Sequence, residues 1–253
     1  MRIKFICCDV FARLAYAAAA VSPNVVDLEL LPMLAHTEPS ALRDKIQSCI
    51  SNTNSDIYAL IVLGYGLCGN AATGLHAPVR MILPRMHDCC AMFIGSRARF
   101  IEAFGENLSM RWCACGYYER GGGADFNFSG DALNCKTNPE YLKLLEDYGE
   151  DNADYVWETL HPPIETKEAT YININGFEYN DAKKKFAAHV AESGKELRIE
   201  EGCHVWFFRL VNGPWDDGEF LVCEPGERVT AVYDMEEVIR AGKSPHVSQI
   251  NVP

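Results

Sequence analysis

Short apolar runs alternate with helical patterns through the first half of the chain, and this alternation constrains the fold more than any other feature. Four apolar runs are typical of strands buried on both faces: Arg2–Cys8, Val25–Leu31, Ile57–Leu63 and Val79–Leu83. Helical patterns separate them, the first over Phe11–Val21 and the second from about Ser40. This alternation predicts βαβ units, and hence an α/β fold with a parallel sheet flanked by helices.

The rest of the chain is predicted to be α/β as well, although its pattern is less regular. Helices are indicated over Pro139–Tyr148, Asp154–Leu160 and Asn180–Glu192, and from Met235. Strands are indicated over Arg111–Tyr117, Thr170–Ile174, Val205–Leu210, Phe220–Cys223 and Val229–Tyr233. A glycine-rich polar stretch over 119–130 separates the halves. We therefore expect two Rossmann-like lobes, 1–118 carrying the functional site and 119–253 closing over it. The alternative is a single domain with a long insertion.

Charge and motif content exclude several classes of protein. The chain has 23 Lys and Arg against 35 Asp and Glu, a formal net charge of −12, which repels the phosphates of nucleic acids and anionic membrane surfaces. No GxGxxG follows the first strand, and GxxxxGK[ST] occurs nowhere in the chain, so neither the dinucleotide nor the P-loop signature is met. We expect a small-molecule substrate, and no nucleic-acid or membrane partner.

The amino-terminal sequence predicts a cytoplasmic protein. Its first apolar run is interrupted by Asp9 and Arg13, and no small-residue cleavage site follows. The next apolar stretch, Leu14–Val21, is far shorter than the ~20 residues that span a bilayer. In a reducing compartment the eleven cysteines are expected to remain free thiols, used for packing, metal binding or chemistry.

Thiols and imidazoles follow the predicted strands of the first half. They come just after successive strands: Cys8, His36, Cys68, His87 and Cys89. Ligands of open α/β sheets bind beyond the carboxyl ends of the strands, and thiolate and imidazole are the donors that zinc and iron prefer. We therefore predict a zinc or iron site held by Cys8, Cys68, Cys89 and His87, with His36 nearby.

Neighbouring residues receive supporting roles. Gly66, Gly69 and Asn70 surround Cys68 and let the backbone approach a bound cofactor. Asp88 and Arg85 are the predicted catalytic residues, with Arg85 pairing with a substrate carboxylate or forming a structural ion pair. Four other cysteines are expected to fill the core: Cys7, Cys49, Cys90 and Cys203. Four stay unassigned: Cys113, Cys115, Cys135 and Cys223.

The same residues leave several functions open. The leading hypothesis is a metal-thiolate protein, with metal-dependent transferase activity, that activates a thiol or accepts a methyl group in one-carbon or sulfur metabolism. An iron–sulfur or redox protein would use the same cysteines. A Cys68 nucleophile beside His87, oriented by Asp88 or Asp9, would make a transferase or hydrolase. A carrier would bind the metal or cofactor without turnover.

Several segments carry a family resemblance: Tyr65–Asn70, Pro84–Cys89, Gly95-Ser96 and Leu34-Ala-His36. They resemble a bacterial and archaeal family classed as domain of unknown function 1638, most sharply over 1–105. Members often lie beside genes for corrinoid-dependent methyl transfer in anaerobes, so the resemblance implies one-carbon chemistry, corrinoid contact, and a corrinoid protein or methyltransferase as partner. It implies a site of Cys8, His36, Cys68, His87, Asp88 and Cys89. A homo-oligomer is left open.

Overall fold

A computed structural model describes most of the chain. The described residues are 1–33, 39–105, 110–121, 139–160, 167–216, 218–232 and 234–243. His36, Cys135 and part of the glycine-rich stretch lie outside them. Within these residues, no helix is both long and apolar enough to cross a membrane.

Strands and helices alternate along much of the chain. The described strands are β1 (Arg2–Cys8), β2 (Val25–Leu31), β3 (Leu60–Gly64), β4 (Arg80–Pro84), β5 (Arg111–Ala114), β6 (Glu168–Asn173), β7 (Glu196–Glu201), β8 (Phe220–Cys223), β9 (Glu227–Ala231) and β10 (Ile239–Lys243). The described α-helices are α1 (Ala12–Ala20), α2 (Pro39–Ser51), α3 (Cys89–Ile94), α4 (Arg97–Phe104), α5 (Cys115–Glu119), α6 (Pro139–Tyr148), α7 (Glu150–Leu160), α8 (Ala182–Glu192) and α9 (Val205–Asn212). The predicted α/β class is confirmed.

The largest sheet reverses its strand order beside its first strand. Its order is β2-β1-β3-β4-β8, and β1 pairs in parallel with both β2 and β3. β4 continues the parallel arrangement, and β8 is antiparallel to β4. The chain therefore moves outward from β1 to β2 and then crosses back to β3. In sheets of this kind a crevice opens at the carboxyl ends of the two strands where the order reverses, here β1 and β3.

Burial on both faces explains why β1 and β3 are so apolar. Every residue of β3 is buried, as a parallel strand covered by helices on both sides requires. An aromatic cluster lies beside the sheet, with ring centroids 4.4 Å apart for Phe11 and Phe93 and 4.9 Å apart for Phe11 and Phe207. Burying each such ring contributes about 1.5–3 kcal/mol, so this cluster anchors α3 and α9 to the residues that follow β1.

Two sequence predictions in the last quarter of the chain are wrong. The predicted strand Val205–Leu210 is helix α9, because its buried residues recur with helical spacing: Trp206, Phe207, Leu210 and Val211. The predicted helix from Met235 is a turn, since Asp234 Oδ1 accepts from the amides of Glu236, Glu237 and Val238. A side chain that takes up three successive amides favours a turn over a helix.

The chain forms two compact units. Unit 1 contains Met1–Glu106, Ile174–Phe177 and Glu201–Pro253, and unit 2 contains Asn107–Asn173 and Glu178–Glu200. Unit 2 holds the sheet β5-β6-β7. The sequence-based division placed 119–253 in one lobe, whereas β8 returns to unit 1 because it pairs with β4.

Gly64 on β3 makes room for a side chain of the neighbouring strand. A Cβ atom at this position would lie 2.4 Å from Cys7 Sγ. We expect Gly64→Ala to lower the free energy of unfolding by about 1–3 kcal/mol, as overpacking of a buried site does. Urea denaturation measures the change.

Gly242→Ala is the matched control, because its Cβ would meet nothing closer than Thr230 Oγ1 at 4.0 Å. A Cys7→Ala background should reduce the effect of Gly64→Ala. Equal losses for Gly64→Ala in both backgrounds would contradict the packing explanation.

Candidate functional site

The carboxyl ends of β1 and β3 bring two cysteines together. Cys8 is the last residue of β1 and is 1% exposed, whereas Cys68 follows β3 and is partly buried. Burial raises the pKa of the Cys68 thiol, and the nearby Asp88 carboxylate and Cys8 thiol raise it further. These three groups therefore lie within electrostatic reach of one another, at the point where the strand order reverses.

The loop that carries Cys68 is fastened to the loop after β4. The Leu67 amide donates to the Met86 carbonyl, and the Cys68 amide donates to the His87 carbonyl, each at 2.8 Å. Gly66 permits this close approach, because a Cβ there would lie 2.5 Å from the Met86 carbonyl oxygen. The close backbone approach that Gly66 permits in the structure is therefore to the loop after β4. Its predicted approach to a bound cofactor stays a prediction.

Cys68 has a backbone conformation that non-glycine residues rarely adopt. Its φ is +47°, and Asn70 follows at +71° with Gly69 between them at +63°. The left-handed conformation is unfavourable by about 1–2 kcal/mol for a residue with a Cβ. Arg43 Nη2 donates to the Asn70 carbonyl at 2.8 Å and helps hold the turn. Strain of this kind clusters at functional sites, which singles out Cys68.

Asp88 caps the helix that follows the second loop. Its Oδ1 accepts from the amides of Cys90 at 2.9 Å and Ala91 at 3.3 Å, as an N-cap residue does. Burial raises the pKa of Asp88 to about 6 despite these two bonds. Cys89 is the first residue of α3 and is half-buried.

The His87 ring makes its described contacts away from the two cysteines. Burial lowers the pKa of His87, and the groups that act on the ring are the backbone and carboxylate of Asp234 and the Arg97 guanidinium. Its Nε2 atom is buried and has no hydrogen-bond partner among the described residues. The sequence predicts that the His87 ring lies beside the Cys68 thiol. In the structure the two residues are joined by their backbones, since the Cys68 amide donates to the His87 carbonyl.

Arg85 holds the segment that leads into β10. Its Nη1 atom donates to the Glu237 carbonyl at 3.1 Å and to the Ile239 carbonyl, and lies 3.7 Å from the Glu237 carboxylate. The sequence left two roles open for Arg85, a structural ion pair and the binding of a substrate carboxylate. Its described contacts are those of a structural ion pair.

Tyr65 belongs to the site but was not assigned to it from the sequence, and Asp9 was considered only as a residue that could orient His87. Burial raises the pKa of Tyr65, and the groups that raise it further are Cys8, Cys7, Cys68 and Asp9, so its phenol lies inside the cysteine cluster. Its position directly after β3 was the available signal. Asp9 Oδ1 accepts from the Met33 amide at 2.9 Å and thereby ties the end of β1 to the chain beyond β2.

The structure gathers part of the predicted site. Of the predicted residues, Cys8, Cys68 and Asp88 lie within electrostatic reach of one another, and Tyr65 joins them. The described contacts of the His87 ring lie elsewhere, and His36 falls outside the described residues. Among the residues that the structure describes, no group of three or more His, Cys, Asp or Glu side chains is arranged to hold a metal ion.

The cap at Asp88 can be tested by stability. Asp88→Ala should lower the free energy of unfolding by about 1 kcal/mol because two helix amides lose their acceptor. Asp88→Asn keeps a carbonyl acceptor and should lose less. Chemical denaturation at pH 8 compares the two, and equal losses would show that Oδ1 does not act as the cap.

Comparison with known proteins assigns the chain to a family. Residues 30–206 match the family model described as protein of unknown function (DUF1638). The match covers more than half of the chain, so the chain belongs to this family, and the resemblance carried by the 65–70 and 84–89 segments is confirmed. No curated protein and no solved structure matches the chain significantly.

Proposed function

We propose that this family member is a metal-thiolate-binding protein, which holds a zinc or iron ion through Cys8 and Cys68. One observation carries the proposal. The buried Cys8 ends β1, and Cys68, partly buried and at a positive φ, follows β3, so that both lie where the strand order reverses. Thiolates are the donors that zinc and iron favour, and this position in a parallel sheet is where ligands bind.

The chemistry of the donor set fits a soft cation in part. Burial, the Asp88 carboxylate and the Cys8 thiol all raise the pKa of the Cys68 thiol, and a bound cation would oppose that by stabilising the thiolate. Two thiols do not complete a coordination sphere. The remaining ligands are assigned to His36 and Cys89, as the sequence predicts, or to the substrate; the predicted fourth donor, His87, would have to turn its ring away from Asp234 to take part.

The chain's own residues shape the site. Asp88 fixes the start of α3, the two loop-to-loop hydrogen bonds fix Cys68, and the buried Tyr65 lies within electrostatic reach of both cysteines. A bound metal would supply one chemistry, the stabilisation of a substrate thiol as its thiolate. We assign the reaction to metal-dependent transfer in one-carbon or sulfur metabolism, with a corrinoid protein or methyltransferase as the partner that the family resemblance suggests.

The cysteine-nucleophile alternative is less favoured by the geometry. A nucleophilic cysteine needs a lowered pKa or an adjacent base. Burial instead raises the pKa of Cys68, and the His87 ring faces Asp234 and Arg97. An iron–sulfur protein remains the second candidate because it uses the same thiols.

Metal content tests the proposal. Protein purified anaerobically from metal-replete cells should contain about one zinc or iron per chain by elemental analysis. Cys8→Ala and Cys68→Ala should each lose most of it, with the fold retained by circular dichroism. Cys49→Ala should retain the metal. Cys49 lies on α2, outside the segments that carry Cys8 and Cys68, and its thiol donates to Glu29 Oε1 at 3.0 Å.

The outcomes separate the alternatives. One zinc per chain and no colour support the single-ion site, whereas brown protein with iron and sulfide supports the cluster. Wild-type protein that contains no metal and takes up none in a titration with Zn²⁺ would overturn both. Activity that survives loss of Cys8 but not of Cys68 would then favour the nucleophile.

A further inference from the structure

A cavity lies at the amino end of the large sheet, at the edge opposite Cys8. Its volume is about 230 Å³, and it is formed where β3 and β4 begin and β8 ends. Ala59, Leu60 and Pro225 supply apolar surface, and the Trp215 side chain lines another side. The Trp215 indole N–H already donates to the Leu210 carbonyl at 2.9 Å, so the ring offers the cavity its apolar surface.

An ion pair stands at the same cavity. Arg80 Nη2 and Nε lie 2.8 and 2.9 Å from Glu224, and both contacts go to Oε1. Within the described ranges, no residue donates to Glu224 Oε2 and none accepts from Arg80 Nη1. Arg80 Nη1 can therefore donate to a ligand, and Glu224 Oε2 can accept from one, while the ion pair stays intact.

The size of the cavity limits the ligand. Pockets for drug-sized molecules and cofactors have volumes of about 300–1,000 Å³, so a nucleotide or a larger cofactor does not fit within 230 Å³. A molecule of roughly ten heavy atoms has the appropriate size, by the same comparison.

The paired charges define the chemistry of the ligand. A simple carboxylate bound to Arg80 would stand beside the Glu224 carboxylate, and a simple amine bound to Glu224 would stand beside the Arg80 guanidinium. A molecule with adjacent ammonium and carboxylate groups satisfies both residues of the pair and meets no like charge within it. Met1 also lines the cavity, and its ammonium donates to Asn24 Oδ1 at 3.0 Å. The remaining part of the ligand must be apolar to contact Trp215 and Leu60.

We propose that this cavity binds a free α-amino acid with an apolar side chain, its carboxylate on Arg80, its ammonium on Glu224 and its side chain against Trp215. The site is separate from the metal site and does not depend on it. Binding at the amino edge of the sheet should therefore persist in Cys68→Ala protein.

Isothermal titration calorimetry with L-leucine and L-phenylalanine tests the proposal on the full chain. At least one should bind saturably at one site per chain. The two leucine analogues that each lack one charged group, 4-methylpentanoate and 3-methylbutylamine, should bind about tenfold more weakly or worse, since each loses a charge-assisted hydrogen bond. Absence of saturable binding by both amino acids, or an analogue that binds as tightly as leucine, overturns the proposal.

Substitutions locate the site. Arg80→Gln, Glu224→Gln and Trp215→Ala should each weaken binding about tenfold. The fold should survive the first two, because ion pairs this exposed contribute little to stability. Arg2→Gln is the matched control: Arg2 forms a 2.7 Å pair with Asp27 at the same sheet edge but does not line the cavity, so binding should stay unchanged. Folded Arg80→Gln and Glu224→Gln proteins that both bind like wild type would contradict the assignment.

Discussion

The reversal of strand order between β1 and β3 is the constraint on which the candidate site depends. Parallel strands deliver their carboxyl ends to one edge of the sheet, and at a reversal the two connections leave in opposite directions. Cys8 and the Cys68 turn occupy that opening. The Cys68 amide then bonds to the His87 carbonyl at 2.8 Å, so the loop after β4 is joined to the same structure.

Local packing explains why the site tolerates strain. Gly66 lies so close to the Met86 carbonyl that no side chain fits, and Arg43 holds the carbonyl of Asn70. Together these contacts keep Cys68 at a positive φ. The contacts of Gly66 and Arg43 thus fix the turn on either side of Cys68. They position the Cys68 thiol through the backbone.

Much of the fold of the first half could be predicted from the sequence. β1 and β2 have the predicted bounds, because continuous apolar runs bounded by turn residues have few other solutions. One failure arose because a short apolar run does not reveal its period. The Val205–Leu210 segment has both strand-like composition and helical spacing, and only its packing as α9 decides between them.

The site was predicted less completely than the fold. Strand ends identify which residues share an edge of the sheet, and this placed Cys8 and Cys68 together. They do not determine where a side chain points, and so they could not show that the groups acting on the His87 ring are Asp234 and Arg97. The position of Tyr65 after β3 was a signal that it shares this edge of the sheet, but it did not show that the side chain is buried near the cysteines.

X-ray absorption spectroscopy of the metal-loaded protein tests the central claim most directly, since it reports the atoms bound to the metal. The account predicts at least two sulfur ligands, with metal–sulfur distances of about 2.3 Å for zinc. In Cys8→Ala protein that still binds metal, one of those sulfur contributions should disappear. A first coordination shell made only of nitrogen and oxygen would contradict the assignment of Cys8 and Cys68.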